Sequence, residues 1–178
     1  MGVPEEHRRG APRSVRFALF VVSTSRFRAL QEGREPPKDI TGDVIERLLV
    51  QAGHIVLFKR ILPDDEGAIR RALEEALGRG AEAVIFAGGT GISPDDVTIE
   101  AIRPMLEKEL PGFGELLRAL SYERVGSAAM LTRALAGVLK GAAIFCIPGS
   151  PDAAELAVKE LIGPEIGHLI RHARGKRA

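Results

Sequence analysis

The residues best suited to chemistry sit in one short stretch, "VIFAGGTGISPDDVT", spanning residues 84–98. An apolar run stops at Gly88-Gly89-Thr90-Gly91, Ser93 follows, and Asp95 and Asp96 come next. Glycines adopt backbone conformations closed to other residues and let the chain approach a ligand closely. Successive N–H groups in such a turn, leading toward a helix N-terminus, form a concave site for phosphate or carboxylate. Thr90 and Ser93 add hydroxyl donors. The same glycines would equally serve a tight strand-to-helix turn that only packs, and taken alone they do not choose between the two. The loop is neither a Walker A sequence nor Gly-x-Gly-x-x-Gly.

Asp96 shifts the balance. A carboxylate beside a phosphate cradle is electrostatically unfavourable unless a cation lies between them. Magnesium takes oxygen ligands, commonly one or two carboxylates together with substrate phosphates. Asp64, in "ILPDD" at the end of the preceding apolar run, is the candidate second carboxylate. Asp64 and Asp96 are therefore the expected magnesium ligands, and Asp65 and Asp95 are expected to cap helices. Other groups offer less. His168 and His172 lie four apart on a predicted helix, a spacing that can bind zinc, but with no apparent third ligand they read as a solvated face. Cys146, in "AAIFCIPG", reads as a buried small hydrophobe, and as the single cysteine it excludes an internal disulfide. No Gly-x-Ser-x-Gly elbow is present and Ser150 has no obvious histidine base, so acyl transfer is unsupported.

The elements that must position these residues follow from the apolar pattern. The short, nearly continuous apolar run at 15–23 reads as a strand buried on both faces, 54–61 and 81–87 read as the second and third strands, and 142–147 as another buried strand. Helical spacing marks 39–52, 65–77, 98–106 and 152–173, with Pro104 bending or ending the third and a break expected at Gly163-Pro164. Gly33 and Pro36-Pro37 make 24–38 a long mobile loop, and a mixed segment follows "ELPGFGELLRALSYERVGS". Strands alternating with helices imply crossovers and a mostly parallel sheet covered on both faces, an α/β fold with three α/β/α layers. In such sheets ligands bind beyond the carboxyl ends of the strands. That rule gathers residue 24 onward, Pro63-Asp64, residues 88–96 and Pro148-Gly149-Ser150-Pro151 in one place.

At 178 residues, 45% hydrophobic and 28% charged, the chain has the balance of one soluble globular domain. A flexible extension over residues 1–14, a domain over 15–172 and a basic tail over 173–178 are expected. No apolar run is long enough to span a bilayer and the N-terminus does not read as a signal peptide, so a cytoplasmic location without membrane partners is the simplest expectation. A net charge of +1 does not demand nucleic acid, and the basic termini read as solvated tails.

At this point the residues resemble a known family. "GGTGISPDDVTIEAIRPMLEKELPGFGELLRALSYERVGSAAMLTRALAGV", followed by "IFCIPGSPDA", is similar to the molybdenum-cofactor biosynthesis proteins of the MoaB/Mog type. The resemblance spans about residues 15–169 and rests on Gly-Gly-Thr-Gly, Asp96-Val97-Thr98, Pro111-Gly112-Phe113-Gly114-Glu115 and Pro148-Gly149-Ser150 in order. It implies a homo-trimer or homo-hexamer acting late in cofactor synthesis. There molybdopterin is adenylylated with ATP and Mg2+, pyrophosphate is released, and the product passes toward a metal-insertion protein. By motif, Gly88 to Gly91 would line the phosphate and pterin site, Asp64 and Asp96 match the family's important acids, and Ser150, Phe113 and Glu115 would line the pocket. Asp39, which could otherwise cap its helix, matches an acid facing that pocket. Two departures stand out: Asp95 occupies a position that is often Arg, and Ser25 replaces a frequent Asp after the first strand. The competing readings are a molybdopterin-binding protein without catalysis and an oligomeric scaffold.

Overall fold

The computed structural model describes residues 11–175. Its sheet begins with β1 (Arg16–Val22), in which every residue after Arg16 is buried. Phe17 and Leu19 enter one core while Ala18 and Phe20 enter a second on the opposite face. An apolar run without polar alternation has this consequence, because successive side chains of a strand point to opposite faces and both must be covered. β3 (Ala83–Ala87) and β6 (Ala142–Ile147) are buried throughout in the same way. β2 (Ile55–Leu62) is only partly buried and lies at the sheet edge.

The strand order is β2-β1-β3-β6-β5-β4, with β4 at Lys108–Glu109 and β5 at Leu135–Leu139. β2, β1, β3 and β6 are parallel, whereas β5 runs antiparallel to β6 and β4 antiparallel to β5. α2 (Ile40–Gln51), α5 (Pro111–Val125), α6 (Pro151–Leu156) and α7 (Gly163–Ala173) cover one face. α3 (Glu66–Gly78) and α4 (Thr98–Ile102) cover the other, giving the three expected layers. Among the described residues no helix is long and apolar enough to cross a membrane.

Three segments differ from expectation. Residues 24–31 form a helix, α1 (Thr24–Gln31), rather than loop. Gly33 and Pro36-Pro37 end it without reaching into it, so the irregular chain starts only after Gln31. The stretch over 108–125, given no element from its pattern, holds β4 and α5, and the mixed segment after it resolves into a 3₁₀ turn (Gly126–Leu131) and β5. β5 and β6 are joined by Lys140 (φ 50°) and Gly141 (φ 74°), two consecutive positive φ values that match the right-handed twist of a hairpin. Finally, the chain does not break at Gly163-Pro164. A wide π-helical turn (Ala157–Ile162) joins α6 to α7, and the Gly163 N–H reaches five residues back to the Val158 carbonyl. Pro164 has no N–H to offer the regular ladder, and the widened turn accommodates it within a continuing helix. The N-terminal extension and basic tail lie in large part outside the described residues.

Candidate functional site

β1 pairs with β2 on one side and β3 on the other, so the connections leave β1 and β3 in opposite directions. A crevice at the carboxyl ends of strands diverging in this way is the usual ligand position in an open α/β sheet. Both strand ends contribute here. Gly88 follows β3 with φ 104°, and an added Cβ would strike the Val22 carbonyl at the end of β1. Gly89, at φ 61°, has the Asp64 carboxylate against it: a Cβ there would lie 2.6 Å from Asp64 Oδ1. Gly91 has Asp96 against it, with a Cβ falling 2.7 Å from Asp96 Oδ2. The two acids thus flank the Gly-Gly-Thr-Gly turn, one beside its second residue and one beside its last.

Each acid is fixed by the backbone. Asp64 Oδ2 accepts from the Thr24 amide at 3.1 Å and from the Thr24 hydroxyl at 2.7 Å. Asp96 Oδ2 accepts from the Ser93 amide at 3.1 Å, closing a small turn around Ser93. The loop is tied down by fully buried Thr98, whose hydroxyl donates to the Gly88 carbonyl at 2.9 Å and whose amide donates to Gly89 at 2.9 Å. These bonds consume loop carbonyls and leave the turn's shape over-determined, as a positive-φ backbone requires.

The opposite wall is Pro148-Gly149-Ser150. A Cβ at Gly149 would lie 3.1 Å from Gly88 Cα, so the loops after β3 and β6 are in near contact. Thr41, buried in the first turn of α2, donates its hydroxyl to the Gly149 carbonyl at 2.7 Å. Between these walls lies a cleft of about 580 Å³ that includes Gly88 to Gly91, Asp96, Pro148 to Ser150 and Asp152 in its lining.

The remaining wall comes from α5 and the turn after it. Ser121, Arg124, Val125 and Ala128 line the cleft, followed by Leu131 to Arg133. Arg133 donates from Nη1 to the Gly91 carbonyl at 2.8 Å, and its other arm pairs with Glu100 of α4. Burial, the largest single effect, would raise the Glu100 carboxyl, but its bond to Arg133, a backbone hydrogen bond and the charges of Arg133 and Arg103 together hold it below the usual range. Arg133 thus holds the Gly91 carbonyl, and Arg124 and Arg133 line the same cleft as Asp96 and Asp152. Residues 121, 124 and 125 share one face of α5, a spacing visible in the sequence, whereas Ala128 joins them from the turn after the helix.

Other candidates fall elsewhere. Asp39 caps α2, accepting the Gly42 amide at 3.0 Å, and lies outside the cleft lining. Phe113 turns toward the core against Phe145, with ring centroids 5.3 Å apart, and Glu115 is exposed on α5. Ser93 is exposed beside the cleft and contributes its amide to Asp96. Asp65 caps α3 through the Ala68 amide at 2.6 Å, as expected. Asp95 does not cap: α4 starts from Val97 without a side-chain cap, because the chain turns at Asp96 before the helix begins.

Oxygen atoms are the donors at the turn: Asp96 in the cleft lining, and Asp64 beside Gly89 but outside that lining. Among the described residues no cluster of three or more His, Cys, Asp or Glu could enclose a metal by itself. That donor set suits a hard cation shared with a ligand's phosphates, which needs only one or two carboxylates.

Residues 18–168 match a family model described as "Probable molybdopterin binding domain". Molybdenum cofactor biosynthesis protein B of Bacillus subtilis is 42% identical over 172 residues, covering 96% of each chain. Molybdopterin adenylyltransferase of Pyrococcus furiosus is 40% identical over 178 residues, covering 98% of this chain and 99% of that one. The crystal structure of the tungsten cofactor synthesizing protein MoaB from Pyrococcus furiosus superposes with a TM-score of 0.82 at 38% identity, covering 93% of this chain and all of that one. The chain belongs to the molybdopterin-binding-domain family of molybdenum cofactor biosynthesis proteins.

Proposed function

We propose that the protein is a molybdopterin adenylyltransferase, joining molybdopterin to the AMP moiety of ATP and releasing pyrophosphate. The observation that carries this reading is the Gly88–Gly91 turn flanked by Asp64 and Asp96 at the diverging ends of β1 and β3. A relative of nearly equal length that bears this activity in its name supports it.

The chemistry is an in-line displacement at phosphorus. A terminal phosphate oxygen of molybdopterin attacks the α-phosphorus of ATP, and the bond to the bridging oxygen breaks as pyrophosphate departs. The attacking oxygen is already anionic, so no general base is required, consistent with the absence of histidine from the cleft lining among the described residues. What the chain must supply is alignment and opposing charge. The turn's amides hold phosphate oxygens, Arg133 keeps the Gly91 carbonyl away from them, and Arg124 adds positive charge. Asp64 and Asp96 would hold Mg2+, which when bound neutralises charge on the phosphates. The exposed apolar residues Tyr122, Val125, Met130 and Leu131, on α5 and the turn after it, support assembly as a homo-oligomer.

Pyrophosphate release from ATP in the presence of molybdopterin and Mg2+ tests the assignment of residues. Asp64→Asn and Asp96→Asn are each expected to lower turnover about 10²–10³-fold, the range for removing one preorganised charge-stabilising group. Wild-type rates in both variants would contradict the site. Binding of molybdopterin by wild type without pyrophosphate release would instead make the protein a carrier of that ligand.

A further inference from the structure

The pair His168 and His172 plays no part in the cleft. Both lie on α7, one turn apart, so their side chains leave the same face of the helix. His168 Nε2 and His172 Nε2 are 2.8 Å apart, with ring centroids at 4.5 Å and planes at 73°. The third participant is Glu165, one turn earlier, whose Oε2 lies 3.4 Å from His168 Nδ1. With its Nδ1–H donated to that carboxylate, His168 presents the Nε2 lone pair to the gap between the rings. His172 donates its Nε2–H across that gap in one tautomer, and in the other, with its proton on Nδ1, presents a second Nε2 lone pair.

A carboxylate behind one imidazole, with two Nε2 atoms converging in front, is the arrangement that orients histidine on a metal. We propose that His168 and His172 form a bidentate site for a divalent transition-metal ion on the outer face of α7, with Glu165 as the positioning residue. Imidazole nitrogens select nickel, copper or zinc over magnesium, which prefers oxygen. The spacing discriminates further. At bonds of about 2.0–2.1 Å, two nitrogens lie roughly 2.9 Å apart across a right angle and roughly 3.3 Å apart across a tetrahedral one. The observed 2.8 Å fits the right-angle geometry of nickel(II) or copper(II) with little movement, whereas zinc must spread the rings. Water completes the remaining positions, because both rings are at least partly exposed.

Calorimetric titration of the untagged full chain, stripped of metal, with NiCl2 at pH 7.5 tests this. One equivalent is expected to bind to wild type, with binding abolished in both His168→Gln and His172→Gln. Glu165→Gln is expected to weaken binding about 10–100-fold, the usual effect of losing the carboxylate behind a ligand. MgCl2 is expected to give no signal that depends on either histidine. Thermal unfolding of each variant in EDTA is expected to match wild type, which separates loss of ligand from loss of fold. No binding to wild type, or unchanged binding in either histidine variant, overturns the site.

Discussion

A methyl group at Gly88 would meet the Val22 carbonyl and force a side chain to φ 104°, while at Gly89 it would meet Asp64 and Thr98. Gly91 has no positive φ, and an added methyl there would meet only the movable Asp96 carboxylate. The three alanine variants should therefore separate. Gly88→Ala and Gly89→Ala are expected to lose about 1–3 kcal/mol through strain, or roughly 3–10 °C in Tm for a chain of this size. Gly91→Ala is expected to leave Tm nearly unchanged while slowing turnover by displacing Asp96. Thermal unfolding and pyrophosphate release on the three variants check this; a Gly91→Ala variant as unstable as Gly88→Ala would contradict it. At this scale the glycine turn and its two acids were legible, because residue types with few other uses stood close to an apolar run that had to be a strand. Arg133 was not. An arginine near a turn has many possible partners, and only the return of the chain after α5 brings this one to Gly91, 42 residues away. Asp39 shows the converse: its local bond to Gly42 takes precedence over the cleft, as an acid at a helix start often does.

The strands that hold the site were read correctly as elements because burial on both faces leaves an uninterrupted apolar signature. β5 escaped notice because "LAGVL" is short and contains Gly137, a residue that weakens a strand pattern. The glycine is needed there, since a Cβ would stand 2.5 Å from the Lys108 carbonyl of β4. α2 and β2 are connected through His54, a buried side chain that packs on Phe17 with centroids 5.4 Å apart and accepts the Val15 amide at 3.4 Å. Burial pushes its imidazole below the ordinary 6.5, outweighing the neighbouring Gly163 backbone. The sign follows from linkage. The unfolded chain binds a proton at His54 more readily than the native one, so this contribution is intact above about pH 6.5 and is lost as pH falls below it. Urea unfolding at pH 7.5 and pH 5.0 should show a larger acid loss of stability in wild type than in His54→Phe. Equal losses would show that His54 does not titrate in this way.

Across the whole molecule, charge is arranged in shared pairs: Glu82 joins Arg16 to Arg174, Glu75 joins Arg60 to Arg79, and Lys59 joins Asp43 to Glu46. The first ties the residue after α7 to the start of β1. Networks of this kind hold better than isolated pairs, particularly at high temperature, in keeping with a sequence that has no Asn and only two Gln. The apolar residues exposed on α5 and the following turn adjoin the cleft, so assembly and site are expected to be linked. Light scattering is expected to give a mass three or six times the 19.1 kDa chain, and a monomer at micromolar concentration would contradict that. The central claim is adenylyl transfer. Its most direct test is incubation of the protein with molybdopterin, ATP and Mg2+, followed by mass analysis of the pterin product. Wild type is expected to yield molybdopterin carrying one added AMP moiety, with the yield strongly reduced in Asp96→Asn; molybdopterin recovered unmodified from wild type would contradict adenylyl transfer.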